Sequence, residues 1–186
     1  MVMTGRTKDL VLVGLFAALT AVGALLQVPF LPDVPMTLQT LFVVMAGLLL
    51  GPKGAFYSQV VYLLLGLVGL PVFAKGRGGL AHVASPTFGF LLGFILGAPV
   101  TGWVDRFLHR WPLALRSLAA AAAGIAVIYG LGVPWVLLFR TFTGNAIPFG
   151  VFIVSLVPIM LGDVLKIIAA GFLRPAIVKA LPELER

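Results

Sequence analysis

The stretch IPFGVFIVSLVPIMLGDVLKIIAAGFL, residues 147–173, contains only two charges, Asp163 and Lys166. About 20 apolar residues suffice to cross the hydrocarbon core of a bilayer as a helix, so this segment is long enough to span one. An ionisable side chain at such a depth is costly, and by default it marks a functional site. Asp163 and Lys166 are three positions apart, which places them on one face of a helix. Two readings stand. The pair is a structural ion pair whose members offset each other's burial, or it is a polar contact for a ligand or coupling ion. A carboxylate accepts hydrogen bonds and an ammonium donates them, so together they suit a ligand with both donors and acceptors, such as a urea or an amide. No second buried carboxylate is evident that would complete a proton relay.

The rest of the chain resembles this segment in character. Of 186 residues, 61% are hydrophobic and 10% charged, against roughly 25% charged in soluble domains. Apolar runs recur from end to end, at about 9–30, 36–51, 54–71, 87–104, 114–137 and 147–173. The first run is followed by others and so is not read as a cleaved signal peptide. Spans 2 and 3 are separated by GPKG and are expected to form a tight antiparallel hairpin. The fold expected is an all-α integral membrane protein, a compact bundle of six transmembrane helices forming one domain over residues 1–186. Glycine and proline are abundant, which membrane bundles tolerate. There is no cysteine and hence no thiol chemistry.

Charge counting orients the six spans. One side holds Arg6, Lys8, Lys53, Arg106, Arg110, Arg116, Arg174, Lys179 and Arg186, whereas the other holds Lys75, Arg77 and Arg140. The excess of basic residues predicts that both termini are cytoplasmic. The net charge of +7 is therefore read as topology, not as a nucleic-acid surface. GRGG at 76–79 lacks the lysine and hydroxyl residue of a nucleotide-binding loop, so any use of ATP requires a partner. No nucleophile–base set or metal cluster stands out. His82 has no ligand-spaced partner, and no metal or cofactor is expected in this chain.

Three further regions hold candidate residues. In and just before LPDVPMTLQT (31–40), prolines 29, 32 and 35 stiffen the entry to span 2. Either Thr37 or Thr40 then caps the helix, or Thr37 and Gln39 line an outward-facing pocket. In the long loop before span 4, Lys75 and Arg77 bring positive charge, Phe73 and Phe88 offer apolar walls, and Ser85-Pro86-Thr87 opens the next span. Arg77 meets either a ligand carboxylate or only water and headgroups. Asn145, before span 6, caps the helix or contacts a ligand. In span 1, Gly14, Ala17, Ala18, Ala21 and Ala24 form a stripe of small residues, suited to close packing within the bundle or against a partner protein.

Several of these segments together match one family. VPMTLQTLFVVMAGLLLGPKGA (34–55), LLGLVGLPVFAKGRGGL (64–80), SPTFGFLLGF (85–94) and GDVLK (162–166) occur in order at the expected spacing. By these the chain resembles BioY, the biotin-specific substrate-binding component of energy-coupling factor transporters. The resemblance implies six transmembrane helices with cytoplasmic termini and capture of biotin from outside. It places Asp163 and Lys166 in the binding site, Thr37, Gln39, Ser85 and Thr87 near it, and Ala17 and Ala21 against a transmembrane coupling protein. The chain departs from the family pattern GPTGGY, reading SPTFGF instead, so position 90 lacks a hydroxyl and position 88 carries an added ring.

The function expected is therefore high-affinity biotin binding and uptake in a prokaryotic plasma membrane. ATP would be hydrolysed by two separate ATPase subunits and transmitted through a membrane coupling protein. The chain itself would be no enzyme. The alternative is a self-sufficient secondary transporter for biotin or another small vitamin, using the buried pair for ion coupling.

Overall fold

The computed structural model describes residues 5–28 and 34–182. Pro29, Pro32, Asp33, Arg186 and the side chain of Arg6 lie outside the described residues. The elements are α1 (Gly5–Leu25), a short hairpin of β1 (Gln27–Val28) and β2 (Met36–Thr37), α2 (Gln39–Leu67), two 3-10 turns (Ala74–Gly76 and Leu80–Ala84), α3 (Phe88–Phe107), α4 (Leu113–Phe142) and α5 (Phe149–Ala180). All five α-helices are long and apolar enough to cross a membrane. The predicted second span begins three residues late, because Met36 and Thr37 pair with Val28 and Gln27 instead of joining the helix.

α2 covers both the second and third predicted spans, and it is not straight. Gly51 interrupts it with φ 69° and ψ −178°, a region that is essentially closed to side chains. Pro52 then starts the second arm, where its missing N–H and fixed φ are no handicap. The clearest sign of reversal is a hydrogen bond. Gln39 Nε2 donates to Tyr62 Oη at 2.6 Å, although a straight helix would hold positions 23 apart about 34 Å from each other. Arms 39–50 and 52–67 therefore run side by side. Gly51→Ala is expected to cost about 1–3 kcal/mol through backbone strain alone. The new Cβ would also stand 2.6 Å from Arg106 Nη2. Thermal unfolding in nanodiscs measures the loss, and an unchanged midpoint would show that the reversal does not depend on this glycine.

The arms pack on α1 and α3 at very close range. A Cβ on Gly102 would lie 2.7 Å from the Pro52 nitrogen, and one on Gly97 2.7 Å from the Gly124 carbonyl oxygen, so α2–α3 and α3–α4 meet backbone to backbone. Gln59 Nε2 reaches Thr20 Oγ1 at 3.3 Å, tying α1 to the second arm.

α5 extends past its predicted end at 173 to Ala180. This changes the reading of Arg174, which the charge count placed among loop residues. It is fully buried in the bundle, where its guanidinium makes a two-pronged pair with Asp105 of α3, Nη1 to Oδ1 and Nη2 to Oδ2, the latter at 2.7 Å. Nη1 also donates to Ser117 Oγ at 3.1 Å, and Arg116 Nε of α4 lies 3.4 Å from Asp105 Oδ1. Asp105 is thus a structural keystone between α3, α4 and α5. Arg106 and Asp9 line one groove, so the start of α1 and the last turns of α5 lie at the same end of the bundle.

Candidate functional site

At the other end, a cavity opens beneath the 3-10 turns. It has about 570 Å³ of empty space, its open mouth included. Its polar floor is built by three helices. Asp163 and Lys166 project from α5, Thr40 from the first turn of α2 and Tyr129 from α4. Lys166 Nζ donates to Asp163 Oδ1 at 2.6 Å and to Thr40 Oγ1 at 3.0 Å. Thr40 Oγ1 donates in turn to Asp163 Oδ1 at 2.7 Å. Tyr129 Oη donates to the second oxygen, Asp163 Oδ2, at 2.6 Å. Both charged side chains are buried, so this cluster offsets their desolvation with charge-assisted hydrogen bonds. One ammonium proton and spare carboxylate lone pairs remain unassigned in that cluster.

Beside the floor runs a second polar chain. Thr37 Oγ1 donates to Gln39 Oε1 at 3.0 Å, Gln39 donates to Tyr62, and Tyr62 Oη donates to the Val72 carbonyl at 3.1 Å. Gln39 therefore has the partners that a glutamine in hydrocarbon requires, and it locks the two arms of α2 to the loop above.

The roof is aromatic. Phe73 packs where Gly66 has no side chain, since a Cβ there would fall within 2.0 Å of the ring. His82 lies against Phe73 with centroids 4.6 Å apart, and Tyr62 meets Phe73 edge-on. His82 Nε2 is 3.3 Å from Thr87 Oγ1. Phe90, Leu91, Phe94 and Ile128 complete the apolar walls. Phe90, at the position lacking a hydroxyl, stands edge-on to Tyr129.

Of the residues singled out in the sequence, Asp163, Lys166, Thr37, Gln39, Thr87 and Phe73 come together on this lining. Ser85, Arg77 and Asn145 do not. Ser85 is buried just behind, its carbonyl accepting from Trp135 Nε1 at 2.9 Å and its hydroxyl 3.4 Å from Thr87 Oγ1. Arg77 is exposed on the loop, where its backbone bridges to Phe73. Asn145 is exposed in the α4–α5 turn and holds it by donating from Nδ2 to the Thr143 carbonyl at 3.2 Å. The stripe on α1 divides, with Ala17 and Ala24 buried, Ala21 half-buried, and Gly14 and Ala18 exposed.

Sequence reading did not single out Tyr129, considered Thr40 only as a possible cap, and considered His82 only as a metal ligand. A tyrosine within the apolar run AGIAVIYGLG was the available signal for Tyr129, because a phenol in hydrocarbon needs a partner.

His82 also makes the roof sensitive to pH. Burial first, and then the nearby Arg77 charge, hold its imidazole below the ordinary value of 6.5. The docked loop therefore favours neutral His82. Its contribution is complete above about pH 6.5 and is lost as pH falls through the lowered value, because the released loop binds the proton more readily. Amide exchange across 80–87, corrected for intrinsic rates, is expected to be faster at pH 5.5 than at 7.5, and His82→Gln is expected to remove most of that difference. An equal acid response in the variant would assign it to other groups.

The model of the BioY family matches residues 1–183. Over 185 residues the chain is 40% identical to the biotin transporter BioY of Rhizobium etli, covering 95% of this chain and 96% of the relative. It is 36% identical to that of Rhodobacter capsulatus over 94% and 95% of the two chains. A 49% identical stretch of the probable biotin transporter BioY of Lysinibacillus sphaericus covers 69% of this chain and 64% of the relative. The fold matches the crystal structure of the S-component for biotin from an ECF-type ABC transporter with a TM-score of 0.79, at 24% identity and over the full length of both chains. With its Asp163–Lys166 pair set in an S-component fold and its sequence matched almost throughout, the chain belongs to the BioY family.

Proposed function

We propose that this chain captures biotin in the cavity between α2, α3, α4 and α5 and serves as the substrate-specific subunit of an ECF-type transporter. The observation that carries this reading is the buried donor–acceptor pair at the floor of a mostly apolar pocket. A ureido ring presents a carbonyl to the remaining Lys166 proton and N–H groups to Asp163 and its neighbours. The thioether ring and valerate chain pack on Phe90, Leu91, Phe94 and Ile128. The valerate carboxylate points to the roof, where Arg77 supplies positive charge.

The remainder of the machine lies in other chains. This chain is a transporter component and not an enzyme, and ATP hydrolysis belongs to separate ATPase subunits. We read the two arms of α2 as separate spans, giving six in all, with both termini on the cytoplasmic side of a prokaryotic plasma membrane. The grouping of Lys8, Lys53, Arg106, Arg116 and Lys179 at one end of the bundle supports that orientation. Gly14 and Ala18 present a small-residue face to the coupling protein, with Ala17 and Ala21 backing it. Asn145 serves the turn between the last two spans, while Ser85 positions Thr87 from behind the pocket.

Uptake into proteoliposomes tests the partnership. Concentrative biotin uptake is expected only with the coupling protein, both ATPases and ATP. Uphill uptake by this chain alone under a proton gradient would favour a self-sufficient transporter. Tyr129→Phe is expected to weaken biotin binding roughly tenfold or more, since hydrogen bonds to charged groups are worth about 1.5–3 kcal/mol. Calorimetric titration measures it, and unchanged affinity would remove Tyr129 from the site.

A further inference from the structure

A second groove lies at the end of the bundle away from the cavity, between α1 and the second arm of α2. It has about 1140 Å³ of space, open solvent at its mouth included, with Leu10, Val13, Tyr57 and Val61 among its walls and Asp9, Lys53 and Arg106 also lining it. Neither basic group has an ion-pair or side-chain hydrogen-bond partner among the described residues, and both are exposed. The reason is local. The neighbouring carboxylate, Asp105, is consumed by Arg174 and Arg116. Asp9, also on the groove, is already engaged in a contact of its own. Arg106 is held in place by the α2 reversal, its Nη2 lying against Gly51.

The surroundings fix the depth of this groove in a bilayer. Trp103, Phe107 and Trp111 are exposed on the turns flanking Arg106, and Tyr57 is exposed within the groove itself. Tryptophan and tyrosine collect at the level of lipid headgroups. A groove with mostly apolar walls that also carries two basic groups without partners among the described residues is complementary to one kind of molecule, an amphiphile with an anionic head.

We propose that this groove binds one anionic phospholipid, with an acyl chain along Leu10, Val13 and Val61 and the phosphate on Lys53 and Arg106. Arginine offers phosphate a two-pronged contact and lysine a point charge. The lipid would bridge α1, which otherwise packs chiefly on α2, to the end of α3. This site is separate from the biotin cavity, so its occupancy does not depend on the reading of that pocket.

Native mass spectrometry of the purified full-length chain tests the site. The protein is titrated with phosphatidylglycerol or phosphatidylcholine of identical acyl chains. Wild type is expected to prefer phosphatidylglycerol on the order of tenfold, as two basic groups near a lipid surface allow. Lys53→Gln/Arg106→Gln is expected to bring the two lipids to near equality while leaving biotin affinity and the thermal midpoint unchanged. Should the double variant fail to fold, each single variant is expected to lose about half of the preference on a logarithmic scale. Equal binding of the two lipids by wild type overturns the proposal, as does a preference that survives both substitutions. Loss of coupling-protein assembly in the double variant, with no lipid preference in wild type, overturns it in favour of a protein-docking surface.

Discussion

Asp163→Asn is expected to weaken biotin binding at least a hundredfold and to lower thermal stability, whereas adding Lys166→Met recovers stability without recovering binding. Asp163 accepts from Lys166, Thr40 and Tyr129. An asparagine keeps one acceptor oxygen, turns an N–H₂ group toward donors and leaves the Lys166 ammonium buried without its counter-charge. Breaking a buried pair from one side costs about 3–5 kcal/mol, whereas replacing both members with neutral groups of similar size is far less costly. The double substitution therefore separates the two roles that the pair plays. Were it purely structural, the double variant would regain both stability and affinity. Because both side chains also line the cavity, affinity should remain lost. Thermal unfolding and calorimetric titration of wild type and the two variants, side by side, give the answer.

The second large effect lies at the far end of the bundle. Asp105→Asn is expected to destabilise the protein by about 3–5 kcal/mol and to do so more severely than Arg174→Met. Asp105 accepts both prongs of the fully buried Arg174 and also faces Arg116. Its neutralisation leaves a guanidinium without compensation among three helices. Arg174→Met, by contrast, leaves Asp105 with Arg116. The thermal midpoint should fall in that order, and protein that remains folded should bind biotin as wild type does, since the cluster does not line the cavity. Equal shifts for the two variants would argue that Arg116 does not support Asp105.

Much of this architecture was legible in the sequence because hydropathy reports burial in lipid directly. The helices α3, α4 and α5 fall on predicted spans, and GPKG marked the reversal that Gly51 and Pro52 make. Asp163 and Lys166 stood out because charge is rare in such runs. Tyr129 did not, because a tyrosine is nearly as apolar as its neighbours by composition, and its role depends on α4 lying beside α5. Arg174 was misplaced for a related reason. A basic residue near the end of an apolar run normally lies at the membrane surface, and only the distant partner Asp105 allows it to be buried. Arg77 and Asn145 are polar residues in exposed loops, where sequence cannot distinguish a residue facing a pocket from one that holds a turn.

The most direct measurement is calorimetric titration of the purified chain, in nanodiscs and without partner subunits, with biotin. Saturable one-to-one binding is expected for wild type, with no detectable binding by a folded Asp163→Asn/Lys166→Met variant. Absence of saturable binding by wild type, or wild-type affinity in that variant, would contradict biotin capture at the Asp163–Lys166 floor.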